Sequence, residues 1–395
     1  MESKELINRC LSEEIKRCLT IFPVVTLTGP RQSGKTTLCR ELFPELPYVN
    51  LEELDTLSQL KADPHRFFAA YPEGAVIDEA HHFPEIFSYI QVYVDEDMHQ
   101  GKNDRRFVVT GSSNFALLER VTQSMAGRTA VLTLLPLSQK ELRQAEILPS
   151  TDRLLLNGGY PAVWRNEEAR EVIYRNYFTT YVERDVRSIV NIKDLIAFQT
   201  FMRLCAGRIG TEFNASALSV AVGVSVPTIN HWISVLHASY TVYLLSPYHA
   251  NIGKRLTKTP KLYFYDTGLA AYLLGIENES QLATHPLRGE LFENMVINEC
   301  IKEGLNRGRE EQFYFYRDKT QREVDLLRLN ALNLEAYEIK AGKSYQGDYF
   351  KHLRFLKELL GDQVSRTAVI YDGHTSLDAP FEGLYNYQDF SLYPD

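Results

Sequence analysis

The sequence predicts an α/β protein: a parallel sheet carrying a phosphate loop, a helical middle, and a second α/β unit toward the C-terminal end. Three observations predict it. Short apolar runs such as FPVVTLTG (22–29), GAVIDE (74–79) and RFVVTGSS (106–113) alternate with helical patterns, as in sheets whose crossovers are helices. The first run leads into Gly29-Pro30-Arg31-Gln32-Ser33-Gly34-Lys35-Thr36, which fits G-x-x-x-x-G-K-[ST] at a strand-to-helix junction. After Pro286 a new series of helix, three strands, helix and strand begins.

Taken in order, an amphipathic opening (5–19) precedes the first strand, and further strands are expected at 47–52, 74–79, 106–113 and 129–137. Residues 139–204 read as helical, interrupted by the turn Asn157-Gly158-Gly159-Tyr160-Pro161. Residues 215–245 read as helical again, with the break Gly223-Val224-Ser225-Val226-Pro227 in the manner of a helix-turn-helix. A helix at 287–303, strands FYFYR, EVDLLRL and LEAYEIK, a helix at 349–360 and a strand AVIYD complete the chain.

Composition narrows the function classes. Of 395 residues, 44% are hydrophobic and 24% charged, which excludes a mostly disordered chain. With 43 Lys+Arg against 51 Asp+Glu the net charge is -8, so the whole molecule repels a polyanion and any nucleic-acid contact must be a local patch. Cys10, Cys18, Cys39, Cys205 and Cys300 are odd in number and scattered, which argues against a disulfide framework and predicts reduced thiols in a cytosolic protein. No apolar run reaches the roughly 18 to 20 residues of a membrane span, and the opening MESKELINRC lacks a secretion signal's apolar core, so no membrane association is expected.

The phosphate loop is the sharpest signal. The loop Gly29, Pro30, Arg31, Gln32, Ser33 and Gly34 is expected to wrap an ATP phosphate with the backbone N–H groups of its residues other than Pro30, with Lys35 on the outer oxygens and Thr36 and Thr37 opening the helix. The Thr36 hydroxyl is the expected Mg²⁺ ligand, and Ala75-Val76-Ile77-Asp78-Glu79 supplies the rest: Asp78 for the ion, Glu79 for the attacking water. His81 and His82 follow; neighbours on a helix diverge and no third ligand is in view, so they read as solvated loop residues. Thr110-Gly111-Ser112-Ser113-Asn114 places small polar groups at the same sheet edge, where Asn114 positions water or touches the γ-phosphate, or else merely caps a helix. Arg128 in Ala126-Gly127-Arg128 is the candidate for transition-state charge, in its own subunit or a neighbour's, against the reading of a surface arginine at a helix end.

These passages, with YVNLEE, VIDEAHHFPEIF, VVTGSSNFALL, MAGRTAVLTLLPLSQKEL, LLLNGGYPAVW, YVERDV, PTINHWISVLHASYTVYLLSPY and KTPKLYFYDTGLAAYLLG, make the chain similar to the AAA-type ATPases of bacteria and archaea that carry a C-terminal domain of unknown function. The resemblance implies a P-loop AAA-like domain (1–150), a helical connector (151–210), a winged-helix-like domain (211–284) and a nuclease-like domain (285–395). At His81 the chain departs from the glutamine this family usually carries two residues past the acidic pair, which leaves position 81 without an inherited role.

In the last domain Asp325 is followed thirteen residues later by Glu338-Ile339-Lys340, with Glu293 on the preceding helix. This resembles the PD-(D/E)xK nuclease core, in which adjacent strands present an acid and E-x-K on one face. Asp325 and Glu338 are then expected to bind Mg²⁺, Glu293 to complete the metal site, and Lys340 to steady water or phosphate. The alternative is an inactive scaffold in which Glu338 and Lys340 form an ion pair. The helix after Gly223 offers Thr228, Asn230, His231 and Ser234 but no Lys or Arg, which disfavours a transcription regulator. Beyond it Lys254, Arg255, Lys258 and Lys261 form an acid-free run in the place of a wing, either a DNA-backbone patch or a solvated hairpin. The expectation is a cytoplasmic, Mg²⁺-dependent ATPase, free of membrane contacts and assembling with further copies of itself, coupled to a nuclease-like domain. A low-turnover nucleotide switch with a scaffold domain is the alternative.

Overall fold

The β-branched run Val24–Thr28 is buried along its whole length, as expected of a strand covered on both faces, and forms β1. The computed structural model describes residues 6–102, 105–111, 125–181, 195–248, 259–377 and 382–393. It divides into two compact units, one made chiefly of residues 1–137 and the other holding most of residues 138–395.

In the first unit β1 is joined by β2 (Tyr48–Asn50), β3 (Gly74–Asp78), β4 (Arg106–Thr110) and β5 (Thr129–Thr133). Their order is β2-β3-β4-β1-β5, and every pairing is parallel. All five expected strands are present. Val25, Leu27, Val76 and Val108 pack with Leu38 of the helix Lys35–Leu42 and Ile15 of the helix Ser12–Ile21. Val24, Ile77, Phe107 and Val109 pack with Phe87 and Ile90 of the helix Ile86–His99 and with Phe68. The sheet therefore has apolar cover from both groups of residues, and its carboxyl edge is left to carry chemistry.

The second unit contains the helices Ala215–Val222 and Val226–Ala238, which meet at 105° across Gly223. That angle lies in the helix-turn-helix range. The expected helical reading to residue 245 is corrected: Val242–Pro247 is a strand, β6, because its apolar side chains enter a sheet. It pairs antiparallel with β7 (Lys261–Phe264) and parallel with β8 (Gln312–Arg317). With β9 (Glu323–Asn330), β10 (Asn333–Lys340), β11 (Val364–Tyr371) and β12 (Glu382–Asn386) the sheet order is β12-β11-β10-β9-β8-β6-β7. The α/β sheet thus begins well before residue 285, inside the segment expected to be winged-helix-like. Leu353 and Leu356 of the helix Lys351–Leu360 pack on Val324, Leu327, Ala336 and Val369.

Buried Asp266 ties together the two motifs NGGYP and YDTG of this unit. Its carboxylate accepts the N–H groups of Gly159 (2.7 Å) and Leu269 (2.8 Å) and the Tyr174 hydroxyl (2.8 Å). These residues serve packing. Among the described residues no single helix is long and apolar enough to cross a membrane.

Candidate nucleotide site and a second acidic cluster

Thr28, Asp78 and Thr110 end β1, β3 and β4, so parallel pairing brings their carboxyl ends to one edge. The phosphate loop starts there. Gly29 has φ 136°, and a Cβ on it would stand 2.2 Å from the Leu134 carbonyl oxygen, so only glycine fits. Gly34, at φ 99°, turns the chain into the helix Lys35–Leu42. Lys35 is buried and donates to the carbonyls of Gly29 (3.1 Å) and Pro30 (2.8 Å). Burial pulls its ammonium down to about 8, against the opposing charges of Glu79 and Asp78. The Ser33 hydroxyl oxygen is buried with no hydrogen-bond partner.

Asp78 gathers its neighbours. It accepts the Thr36 hydroxyl at 2.7 Å and the Tyr48 hydroxyl at 2.6 Å on one oxygen, and the Thr110 hydroxyl on the other. Thr36 and Asp78, the expected ion ligands, are thus in direct contact, and the hard-oxygen donor set with an orphaned Ser33 hydroxyl fits Mg²⁺ and phosphate. Glu79 follows in a left-handed conformation, φ 55°, which turns its carboxylate out of the strand. One carboxylate oxygen lies 3.0 Å from Nδ1 of His81. His81 is therefore a half-buried partner of Glu79, and the solvated-loop reading of the histidines is corrected. Their rings also contact each other, with centroids 4.3 Å apart.

Sequence reasoning missed two groups here. Arg9, buried, donates to the carbonyls of Ser33 (2.7 Å) and Leu135 (2.6 Å) and so pins the phosphate loop from the opening segment. Tyr48 orients Asp78 from β2. Neither carries a motif; only the tertiary fold brings them in. Asn114 lies outside the described residues.

Arg128 is placed elsewhere. Parallel register sets Thr129 beside Val24 and Thr133 beside Thr28, so Arg128 sits where the strands begin, a strand length or roughly 16 Å from the loop. Its guanidinium forks onto Asp95, Nε to Oδ1 at 2.5 Å and Nη2 to Oδ2 at 2.9 Å. Within its own subunit it is thus held at the far end of the strand from the loop.

In the second unit, β9 and β10 run antiparallel with Tyr337 beside Leu326, so the next pair in register is Glu338 and Asp325. The structure brings these two and Lys340 together as expected. Asp325 accepts the Ile339 N–H at 2.7 Å and the Lys340 ammonium at 3.2 Å, and the same ammonium donates to Glu338. Burial works to raise Asp325, but the Lys340 and Lys261 ammoniums and the Ile339 N–H outweigh it and hold it low. Burial and the charge of Asp325 push Glu338 well up.

Glu293 does not complete a metal site with them. Its carboxylate accepts the Tyr263 hydroxyl and the ammonium of Lys261 (3.2 Å). Among the described residues no three His, Cys, Asp or Glu side chains converge closely enough to hold a metal ion. Lys261 also corrects the basic patch: it is buried in this cluster, and not on the surface. Lys254, Arg255 and Lys258 lie outside the described residues.

A phosphate loop on an all-parallel sheet, with a Thr–Asp pair beside its lysine, defines the first unit as a P-loop nucleotide-binding domain of the ATPase type. Residues 22–143 match the AAA domain family. Residues 148–280 and 288–385 match two domains of unknown function, DUF8612 and DUF4143. The chain is 28% identical over 369 residues to the uncharacterized protein Rv2008c of Mycobacterium tuberculosis, covering 92% of this chain and 80% of that one. An uncharacterized protein of Haemophilus influenzae is 27% identical over 214 residues, 50% of this chain and 52% of that one. Among solved structures it is distantly similar to the Walker-type ATPase PABY2304 of Pyrococcus abyssi, with 13% identity, TM-score 0.46, and coverage of 69% of this chain and 97% of that one. Cdc6p of Pyrobaculum aerophilum is more distant, with 14% identity, TM-score 0.28, and coverage of 67% and 92%.

Proposed function

We propose that the chain binds ATP with Mg²⁺ at the phosphate loop and hydrolyses it, and that nucleotide state governs a nuclease-like site in the second unit. The contact of Thr36 with Asp78 at 2.7 Å, beside a buried lysine, carries this reading. Thr36 and Asp78 would hold Mg²⁺, which when bound supplies positive charge to the phosphate oxygens. Lys35 exchanges its carbonyl partners for a phosphate oxygen, and the desolvation that lowers its pKa makes that exchange favourable. Glu79 takes the proton of the attacking water, with His81 fixing its carboxylate. Arg128 acts on a neighbouring copy's phosphate, which requires assembly of the chain with itself. Asp325, Glu338 and Lys340 form the second site, acting on nucleic acid.

The test is phosphate release by purified protein, with and without DNA. Glu79→Gln is expected to bind ATP while turnover falls about a hundredfold or more, and Lys35→Ala to lose binding. Wild-type turnover in Glu79→Gln would overturn the assignment. A second reading, a slow nucleotide switch with a scaffold domain, is favoured by one observation: both lysines of the second cluster already have carboxylate partners.

A further inference from the structure

Tyr240 stands where helix geometry calls for glycine. The helix Val226–Ala238 ends in a turn closed by the Thr241 N–H on the Leu236 carbonyl (2.9 Å), with Tyr240 in the left-handed region at φ 54°. Glycine takes that conformation without cost, whereas a side chain as bulky as tyrosine strains it. What the strained turn holds in place is a hydroxyl, 3.3 Å from Oγ1 of Thr28 and 3.3 Å from Oγ1 of Thr133. Those two oxygens lie 3.1 Å apart, so three hydroxyls close a triangle across the last residues of β1 and β5. Thr28 is fully buried, also donates to the Leu132 carbonyl at 3.2 Å, and immediately precedes Gly29 of the phosphate loop. Residues 238–240 accordingly belong to the first unit, although the chain on both sides of them belongs to the second.

We propose that Tyr240 senses occupancy of the phosphate loop and passes it to the end of the helix Val226–Ala238. The inference rests on the nucleotide reading above. In the empty loop the Lys35 ammonium is held by the carbonyls of Gly29 and Pro30, so its transfer to a phosphate oxygen changes the backbone one residue from Thr28. That change loosens the hydroxyl triangle, and the strained turn, no longer held by its hydroxyl, opens. Tyr240 touches no phosphate in this scheme and is a positioning residue. Coupling is reciprocal: whatever opens the turn must also favour nucleotide, by the same factor.

Hydrogen exchange of the full chain, followed at the Thr241 amide without and with a non-hydrolysable ATP analogue and Mg²⁺, tests this, with affinity measured by calorimetry on the same samples. In the wild type the analogue should speed exchange at Thr241 about fivefold, the worth of one hydrogen bond. Tyr240→Phe should exchange that fast already without nucleotide, respond no further to the analogue, and bind it about fivefold more tightly. Thr133→Val, which removes another corner of the triangle, should act in the same direction, and it decides the matter if Tyr240→Phe does not fold. Binding of the analogue with no change at Thr241 in the wild type, or a wild-type response and affinity in both variants, would overturn the proposal alone. No binding of the analogue would overturn the nucleotide reading, and the proposal with it.

Discussion

The two sites use the same residue types to opposite effect. At the phosphate loop Lys35 is buried on backbone carbonyls, and its ammonium is pulled down to about 8. In the second cluster Lys261 and Lys340 each rest on two carboxylates, which outweigh burial and hold both ammoniums above their ordinary range. The first site is held short of charge and gains by taking up an anion. The second has compensated its charge internally. The difference teaches that a Lys near Asp and Glu in sequence says little about readiness for a ligand; whether carbonyls or carboxylates receive the ammonium decides it.

The comparison can be sharpened at the first site by supplying what it lacks. Arg128, a strand length from its own loop, is expected to serve a neighbour, so Arg128→Ala should lower turnover roughly a thousandfold. Mixing it with Glu79→Gln should restore part of the activity at interfaces that combine the intact halves. Full ATPase activity in a strictly monomeric protein would remove this role.

Removing each lysine's charge is the next largest contrast. Lys261→Met leaves Glu293 without its counter-ion and Glu323 with Arg317 alone, and should destabilise the second unit by about 3 kcal/mol. Lys35→Met removes a desolvated charge and should stabilise the ligand-free first unit by about 3 kcal/mol. Urea unfolding of the full chain checks both, and equal signs would break the comparison.

Much of the first site was legible because its chemistry is local: the loop, the acids at 78 and 79, and all five strands follow from short contiguous patterns. The missing parts are tertiary. Arg9 sits in an ordinary amphipathic segment and Tyr48 in a three-residue strand, and nothing near either marks a phosphate loop. Lys261 reads as one more charge in the run with Lys254, Arg255 and Lys258, since burial is not visible in a basic stretch. Residues 242–247 continue an apolar helical pattern, and only pairing with β7 and β8 makes them a strand. In the second site the spacing of Asp325 and Glu338 was readable because a hairpin sets their register, whereas the partner of Glu293 comes from β7.

The most direct test of the contrast is the proton linkage of ATP binding. Lys35 has its folded pKa lowered to about 8 from 10.5, so the ligand-free protein loses that proton as pH rises through about 8. Bound phosphate favours the ammonium and raises its pKa again, so the complex holds more protons than the free protein above that pH. Calorimetric titration of the full chain with ATP and Mg²⁺ at pH 8.5, in buffers of different ionisation enthalpy, should show net proton uptake, and affinity should fall with rising pH by up to about tenfold per unit. Binding with no proton uptake, and with an affinity that does not change between pH 7.5 and 9.5, would contradict the account.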